Sequence, residues 1–275
     1  MSLGIAFKGP EGIVLAADSR VTLTFLTQPT PSSRPMMVPA TFDNATKLLK
    51  IRGHENVGAV TYGLGAIGQK EPRTAHSFIS EFEAQLGDGA LTVEVFAQKI
   101  SDFFLTQWNT YMAGVPLQPG LDLVFLVGGY DQGATYGKVF EVFIPSKPKP
   151  MERFSGPGEF GAIFGGQREI VDRLIRGYDQ RVLDIISSDF GLNAAAKEAL
   201  GNKLSSALTM PIPFQFLPLQ DCVDLSIFLV RTTMKLQTWT IGVRGVGGAV
   251  DVATITKTDG FVPVQIKKIF GERQA

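Results

Sequence analysis

The order of elements along the chain predicts an α+β fold built as a four-layer αββα sandwich, two stacked sheets between layers of helices. Three observations carry that expectation. Short apolar runs punctuated by Gly and Pro open the chain, apolar residues at helical spacing follow, and this alternation repeats before a closing pair of strands. At 275 residues the chain is long for one domain and short for two, which favours a single domain over residues 1–275.

The first hairpin pairs residues 4–8 with 12–17 through the turn Lys8-Gly-Pro-Glu-Gly12. Residues 26–43, with prolines at 29, 31, 35 and 39 and no periodicity, read as a long loop. Strands at 46–52 and 56–62 precede one or two amphipathic helices over 74–86 and 92–113, where Phe78, Phe82, Leu86, Phe96, Ile100 and Phe103 recur at helical intervals. Two β-rich runs, 121–127 and 138–144, flank a turn at 128–133, and 160–165 is a short strand. Helices are expected from 168 to about 186, over 194–209 and over 221–237, with a break at Pro211-Ile-Pro213. Strands at 249–256 and 261–268 close the fold.

Composition narrows the function classes. Apolar residues reach 44% and charged residues 19% with no net charge, so nothing in the balance favours nucleic acid or an anionic membrane as partner. A lone Cys222 and two separated histidines, His54 and His76, argue against a disulfide framework and a zinc cluster; no metal and no cofactor are expected. No stretch approaches the roughly 20 apolar residues of a membrane helix, and no export signal or propeptide is read at the start, so a reducing cytoplasm is the expected compartment.

Ser2 carries the most chemistry. Loss of Met1 would place a hydroxyl and a free α-amine on one residue, and an α-amine with a pKa of roughly 7.7–8.0 is a usable base for a hydroxyl nucleophile. The ordinary reading, a small residue after the initiator, is met by the residues that follow. Gly12-Ile-Val-Leu-Ala-Ala-Asp18-Ser-Arg20-Val-Thr22 resembles the opening hairpin of proteasome β-type subunits and bacterial proteasome homologues, which are N-terminal-nucleophile hydrolases. Lys47-Leu-Leu-Lys-Ile51, Leu126-Val-Gly-Gly-Tyr-Asp131 and the segment from Gly247 to Gly260 resemble later strands of the same family. A gapless alignment places the family's nucleophile on Ser2.

The resemblance implies a threonine-type peptidase using Ser2, with Lys47 as the lysine that lowers the pKa of hydroxyl and amine and Asp18 as the partner that keeps it charged. Lys50 competes for the role, but residues at that spacing on a strand face opposite ways. The resemblance assigns the oxyanion N–H to Gly63, the substrate groove to Thr22 and Thr61, and support to Arg20. It implies a homo-oligomeric ring enclosing the sites, a peptide or unfolded-protein substrate, and room for an ATPase partner of unknown identity. Relative to that pattern, 26–43 and 210–220 are insertions and the expected new contact surfaces.

Departures from the pattern keep two other readings open: a catalytically silent structural subunit and an amidase acting on a small molecule. Glycine stands at 166 where the family commonly has serine, and Trp239-Thr-Ile-Gly-Val-Arg-Gly-Val246 lacks the usual Asp and Ser. Thr238 or Thr240 are the candidate substitutes. Serine also lacks the methyl group that limits threonine's rotamers.

Overall fold

In a computed structural model describing residues 2–28, 30, 34, 36–87, 89–116 and 120–271, the first two strands, Leu3–Lys8 (β1) and Ile13–Asp18 (β2), are buried along their whole length. Strands covered on both faces need apolar side chains at nearly every position, and these two depart from that only at Lys8 and Asp18. Strands Val21–Thr27 (β3), Met36–Phe42 (β4), Leu48–Lys50 (β5) and Val57–Gly63 (β6) lead to a 3-10 turn at Ala75–Phe78. Helices Ile79–Leu86 (α1) and Val93–Tyr111 (α2) follow, then strands Leu123–Gly129 (β7), Lys138–Ile144 (β8), Lys147–Arg153 (β9) and Gly161–Gly166 (β10). Helices Glu169–Arg176 (α3), Gln180–Asp189 (α4), Ala194–Leu208 (α5) and Leu219–Gln237 (α6) precede the closing strands Val250–Thr256 (β11) and Gly260–Gln265 (β12).

The described residues thus form a mixed α+β fold with three antiparallel sheets and six α-helices. One sheet has the order β10-β1-β2-β11-β12, a second β5-β6-β7-β8-β9, and β3 pairs with β4 alone. Side-chain alternation divides each large sheet between two neighbours. Ala6, Leu15, Ala17 and Ala253 of the first sheet share one apolar cluster with Val60, Tyr62, Val124 and Leu126 of the second. On its other face the second sheet offers Ala59, Phe125 and Val127 to Phe82, Phe96, Ile100 and Phe104 of α1 and α2. Helix α6 packs on β1, β2 and β11 and buries Val223, Leu229 and Val230.

Contacts divide the chain into two compact units, Met1–Gly166 with Phe214–Ala275, and Gln167–Pro213. The second unit consists of α3, α4 and α5, tied internally by Tyr178 Oη against Ser205 Oγ at 2.6 Å and by the Met210 N–H donating to Ile175 O at 2.8 Å.

Several expected elements differ. Residues 26–43 were expected as a loop, yet Met36–Phe42 pairs with β3; a two-stranded ribbon has only edges, so Pro39 sits opposite Thr24 without breaking a third strand's ladder. Pro29, Pro31, Pro35 and Met1 lie outside the described residues. Strand β9 was missed because Lys147-Pro-Lys-Pro150 reads as a turn, and an edge strand tolerates its prolines. The helix expected over 168–186 is two: Gly177 in the left-handed region (φ 78°) ends α3, and Asp179 caps α4 through the Arg181 N–H at 2.9 Å.

Candidate functional site

Asp18 ends β2, where its carboxylate meets four donors. Its Oδ1 accepts from the Leu3 N–H at 3.0 Å and from Lys47 Nζ at 2.6 Å; its Oδ2 accepts from the N–H of Gly247 at 2.9 Å and of Arg20 at 3.1 Å. The Leu3 N–H is the amide that joins Ser2 to β1. One oxygen therefore fixes both the backbone beside Ser2 and the ammonium of Lys47, and the Asp18 side chain is fully buried. Three of the donors are backbone amides, which no side-chain motion can withdraw.

Lys47 precedes β5 and is itself buried, while Lys50 lies at the surface paired with Glu55 at 2.9 Å. The Thr61 N–H donates to Lys47 O at 3.0 Å, tying β6 to the lysine's backbone. A small cavity of about 20 Å³ is walled by Ser2, Lys47 and Thr61, with Val21, Thr46 and Thr74 among its other sides. That is room for about one water molecule. Burial pushes the Lys47 pKa down, and the neighbouring Asp18 carboxylate opposes the shift. Lys267 acts with burial and Asp251 against it. Those two form a second, partly buried ion pair, in which Lys267 also donates its backbone N–H to Asp251 Oδ1 at 2.8 Å.

The other sequence-derived candidates take different places. Arg20 makes a two-pronged ion pair with Asp43, at 2.6 and 2.9 Å, and donates to Arg244 O at 3.1 Å. The hydrogen bond from Arg20 is the main reason the Asp43 pKa is lowered. Gly63 adopts φ 87°, and a Cβ there would come within 2.2 Å of Asp122 O, so this turn admits only glycine. Its neighbours Tyr62 and Leu64 wall the Ser2 cavity; Gly63 is outside the walls. Thr22 is likewise outside, with its Oγ1 buried and lacking a hydrogen-bond partner.

Gly166 faces Leu3 across the β1–β10 ladder at φ 90°, and a Cβ there would meet Ser2 O at 1.9 Å. The serine of the family pattern has no room in this backbone. Thr238 and Thr240, the candidate substitutes for the missing Asp and Ser, are both exposed, with hydroxyls donating to Lys235 O at 2.6 Å and Gln237 O at 3.3 Å at the end of α6. Sequence reasoning missed Asp43, Thr46, Thr74, the Asp251–Lys267 pair and the Gly247 amide. A backbone N–H carries no residue-type signal, and the Asp251–Lys267 pair joins residues 16 apart across a strand turn. Among the described residues no group of His, Cys, Asp and Glu is gathered to hold a metal ion, and no helix is long and apolar enough to cross a membrane.

No family model and no curated protein sequence matches the chain. Solved structures do. The Anbu (Gly-1) mutant from Hyphomicrobium sp. strain MC1 aligns with a TM-score of 0.53 and 15% identity over 96% of this chain and 86% of that one. Anbu (ancestral beta-subunit) from Yersinia bercovieri gives 0.53 and 12% over 95% and 86%, and the helical assembly of the Anbu complex from Pseudomonas aeruginosa gives 0.54 and 13% over 95% and 84%. The fold is Anbu-like. At such low identity the likeness concerns the fold alone, but it corrects the family read from the sequence. The structural relatives are Anbu proteins, proteasome-like yet distinct from the proteasome β-type subunits whose opening hairpin the chain resembles.

Proposed function

We propose that the chain is a hydrolase of peptide bonds that uses Ser2 as an N-terminal nucleophile within an Anbu-like αββα sandwich, assembled from several copies of itself. The observation that carries this reading is that Ser2 and Lys47 wall one cavity while Asp18 Oδ1 holds both Lys47 and the amide following Ser2. With Met1 removed, the Ser2 α-amine takes the hydroxyl proton as Oγ attacks the scissile carbonyl. The Lys47 ammonium stabilises the developing negative charge, and Asp18 keeps that ammonium charged although it is buried. The amine then returns the proton to the leaving nitrogen, and water resolves the acyl-enzyme. The Gly63 N–H is the proposed oxyanion donor, with Thr22 and Thr61 toward the substrate and Arg20 in support.

Cys222 does not compete as nucleophile: burial pushes its thiol up to about 11. An assembly of copies is supported by the solved helical assembly of the Anbu complex from Pseudomonas aeruginosa. One observation favours the silent structural reading instead. The cavity beside Ser2 is about 20 Å³, room for about one water molecule, and Ser2 itself is buried. The test is hydrolysis of a panel of fluorogenic peptides by Met1-processed protein, by Met1-retained protein and by Ser2→Ala. Activity in the processed form alone supports the hydrolase; no activity in any form supports the silent subunit, and equal activity in all three excludes Ser2 as the nucleophile.

A further inference from the structure

Beside the Asp18 cradle, on the side of α6, lies a groove of about 450 Å³ that the Ser2 chemistry does not use. Its volume falls within the range of small-molecule sites. The chain as a whole is neutral, with 26 Lys and Arg against 26 Asp and Glu, but this groove is lined by Arg20, Arg231, Lys235 and Arg244 and by no acidic residue among those described. Arg20 already has Asp43, and the other three cations lining the groove have no carboxylate partner among the described residues, although Lys235 also lies over the Trp239 ring at 5.2 Å. Arg231 and Lys235 are four apart on α6, the spacing at which like charges on a helix repel. Such a pair is relieved by an anion brought from outside.

The groove is also partly organised in advance. Arg244 donates to Thr238 O at 3.0 Å and Arg20 is clamped by Asp43 and Arg244 O, so two guanidinium groups are held in place. Its apolar wall includes Met234, an adaptable side chain, and the buried Val246. We propose that this groove binds a small amphiphilic anion, an apolar body ending in an oxyanion. Arg231, Lys235 and Arg244 hold the oxyanion, and Met234 and Val246 lie against the body. Guanidinium forks suit both carboxylate and phosphate, so the shared chemistry is an oxyanion on a short alkyl chain. The site is independent of whether Ser2 is a nucleophile.

The test is methyl NMR on the full-length protein, following Met234 and Val246 during titration with octanoate, octyl phosphate and octanol. Both anions should shift these signals, with octanol at least about tenfold weaker, because it lacks the charge that charge-assisted hydrogen bonds need. The stronger of the two anions names the natural head group. In the double variant Arg231→Ala/Lys235→Ala, whose positions are exposed on α6, affinity for both anions should fall about tenfold or more. Equal binding of octanol and the anions, undiminished binding by the variant, or no movement of either methyl would overturn the proposal. The wild-type titration against octanol decides the matter without the variant should the latter misfold.

Discussion

Asp18 and Asp179 are both buried carboxylates gripped by cations and backbone amides, but they are built from opposite materials. Asp179 is held by Arg173 at 2.6 Å and Arg181 at 2.8 Å, and both arginine side chains are more than half exposed. Asp18 is held by a lysine only 8% exposed and by three backbone amides. Solvated guanidinium groups can leave and be replaced by water, so the Asp179 cluster serves to cap α4 and lock the 167–213 helices. Lys47 has given up its water, and its charge is balanced by Asp18. A charge that solvent cannot screen acts on whatever else lines its cavity, and Ser2 does.

Removing the lysine gives the largest expected effect. Lys47→Met should leave folded protein without peptide hydrolysis, a loss of roughly 100-fold or more if the ammonium is the electrostatic stabiliser. Urea unfolding should show a loss of about 3–5 kcal/mol, the usual consequence of breaking a buried pair, toward the lower end because Asp18 keeps its amide donors. Wild-type activity in this variant would make the Asp18–Lys47 pair structural only.

Gly166→Ala comes next. At φ 90°, with Ser2 O 1.9 Å from the new Cβ, the backbone must shift at Ser2 itself. The expected result is a loss of about 1–3 kcal/mol with a marked fall in kcat. Unchanged kcat at the same destabilisation would detach Gly166 from the positioning of Ser2. Asp179→Ala should be milder and local: about 1–2 kcal/mol from the lost cap, faster hydrogen exchange within 167–213 and unaltered peptide hydrolysis.

The two clusters should also part company with pH. The Asp179 pKa is lowered to about 2 by its hydrogen bond from Arg181, so its contribution is present above 3.8 and is lost as pH falls from there through about 2. Lys47 moves the other way. Burial lowers its pKa below 10.5, so the burden of the buried charge is present below the folded value and is relieved as pH rises toward 10.5. Activity that needs the ammonium should therefore fail on the alkaline side below pH 10.5, a limb that a pH profile of kcat/KM reads directly. Lys267→Met, by removing a cation that acts against Lys47, should move that limb upward.

Sequence made the large sheets and the main helices legible because burial on both faces leaves near-continuous apolar runs, as in Ile13–Asp18 and Leu123–Gly129. It hid β4 and β9, where proline on an edge imitates a loop, and the break at Gly177, where a helical pattern runs across a left-handed residue. Within the site, Ser2, Asp18 and Lys47 could be named because their side chains carry distinctive chemistry. The parts played by Gly247, which donates a backbone amide, and Gly166, which simply leaves room, could not be read from residue type. The family resemblance drew on strand segments that belong to the fold itself, and the solved structures of like fold are Anbu proteins.

The central claim is that Lys47 and Asp18 activate Ser2. A β-lactone acylates a nucleophilic hydroxyl, and intact-mass and peptide mapping locate the adduct without knowledge of the natural substrate. Incubated with Met1-processed protein and its Lys47→Ala variant, the lactone is predicted to label Ser2 in the former and leave the latter unlabelled. Equal labelling of both, or an adduct anywhere other than Ser2, would contradict the account.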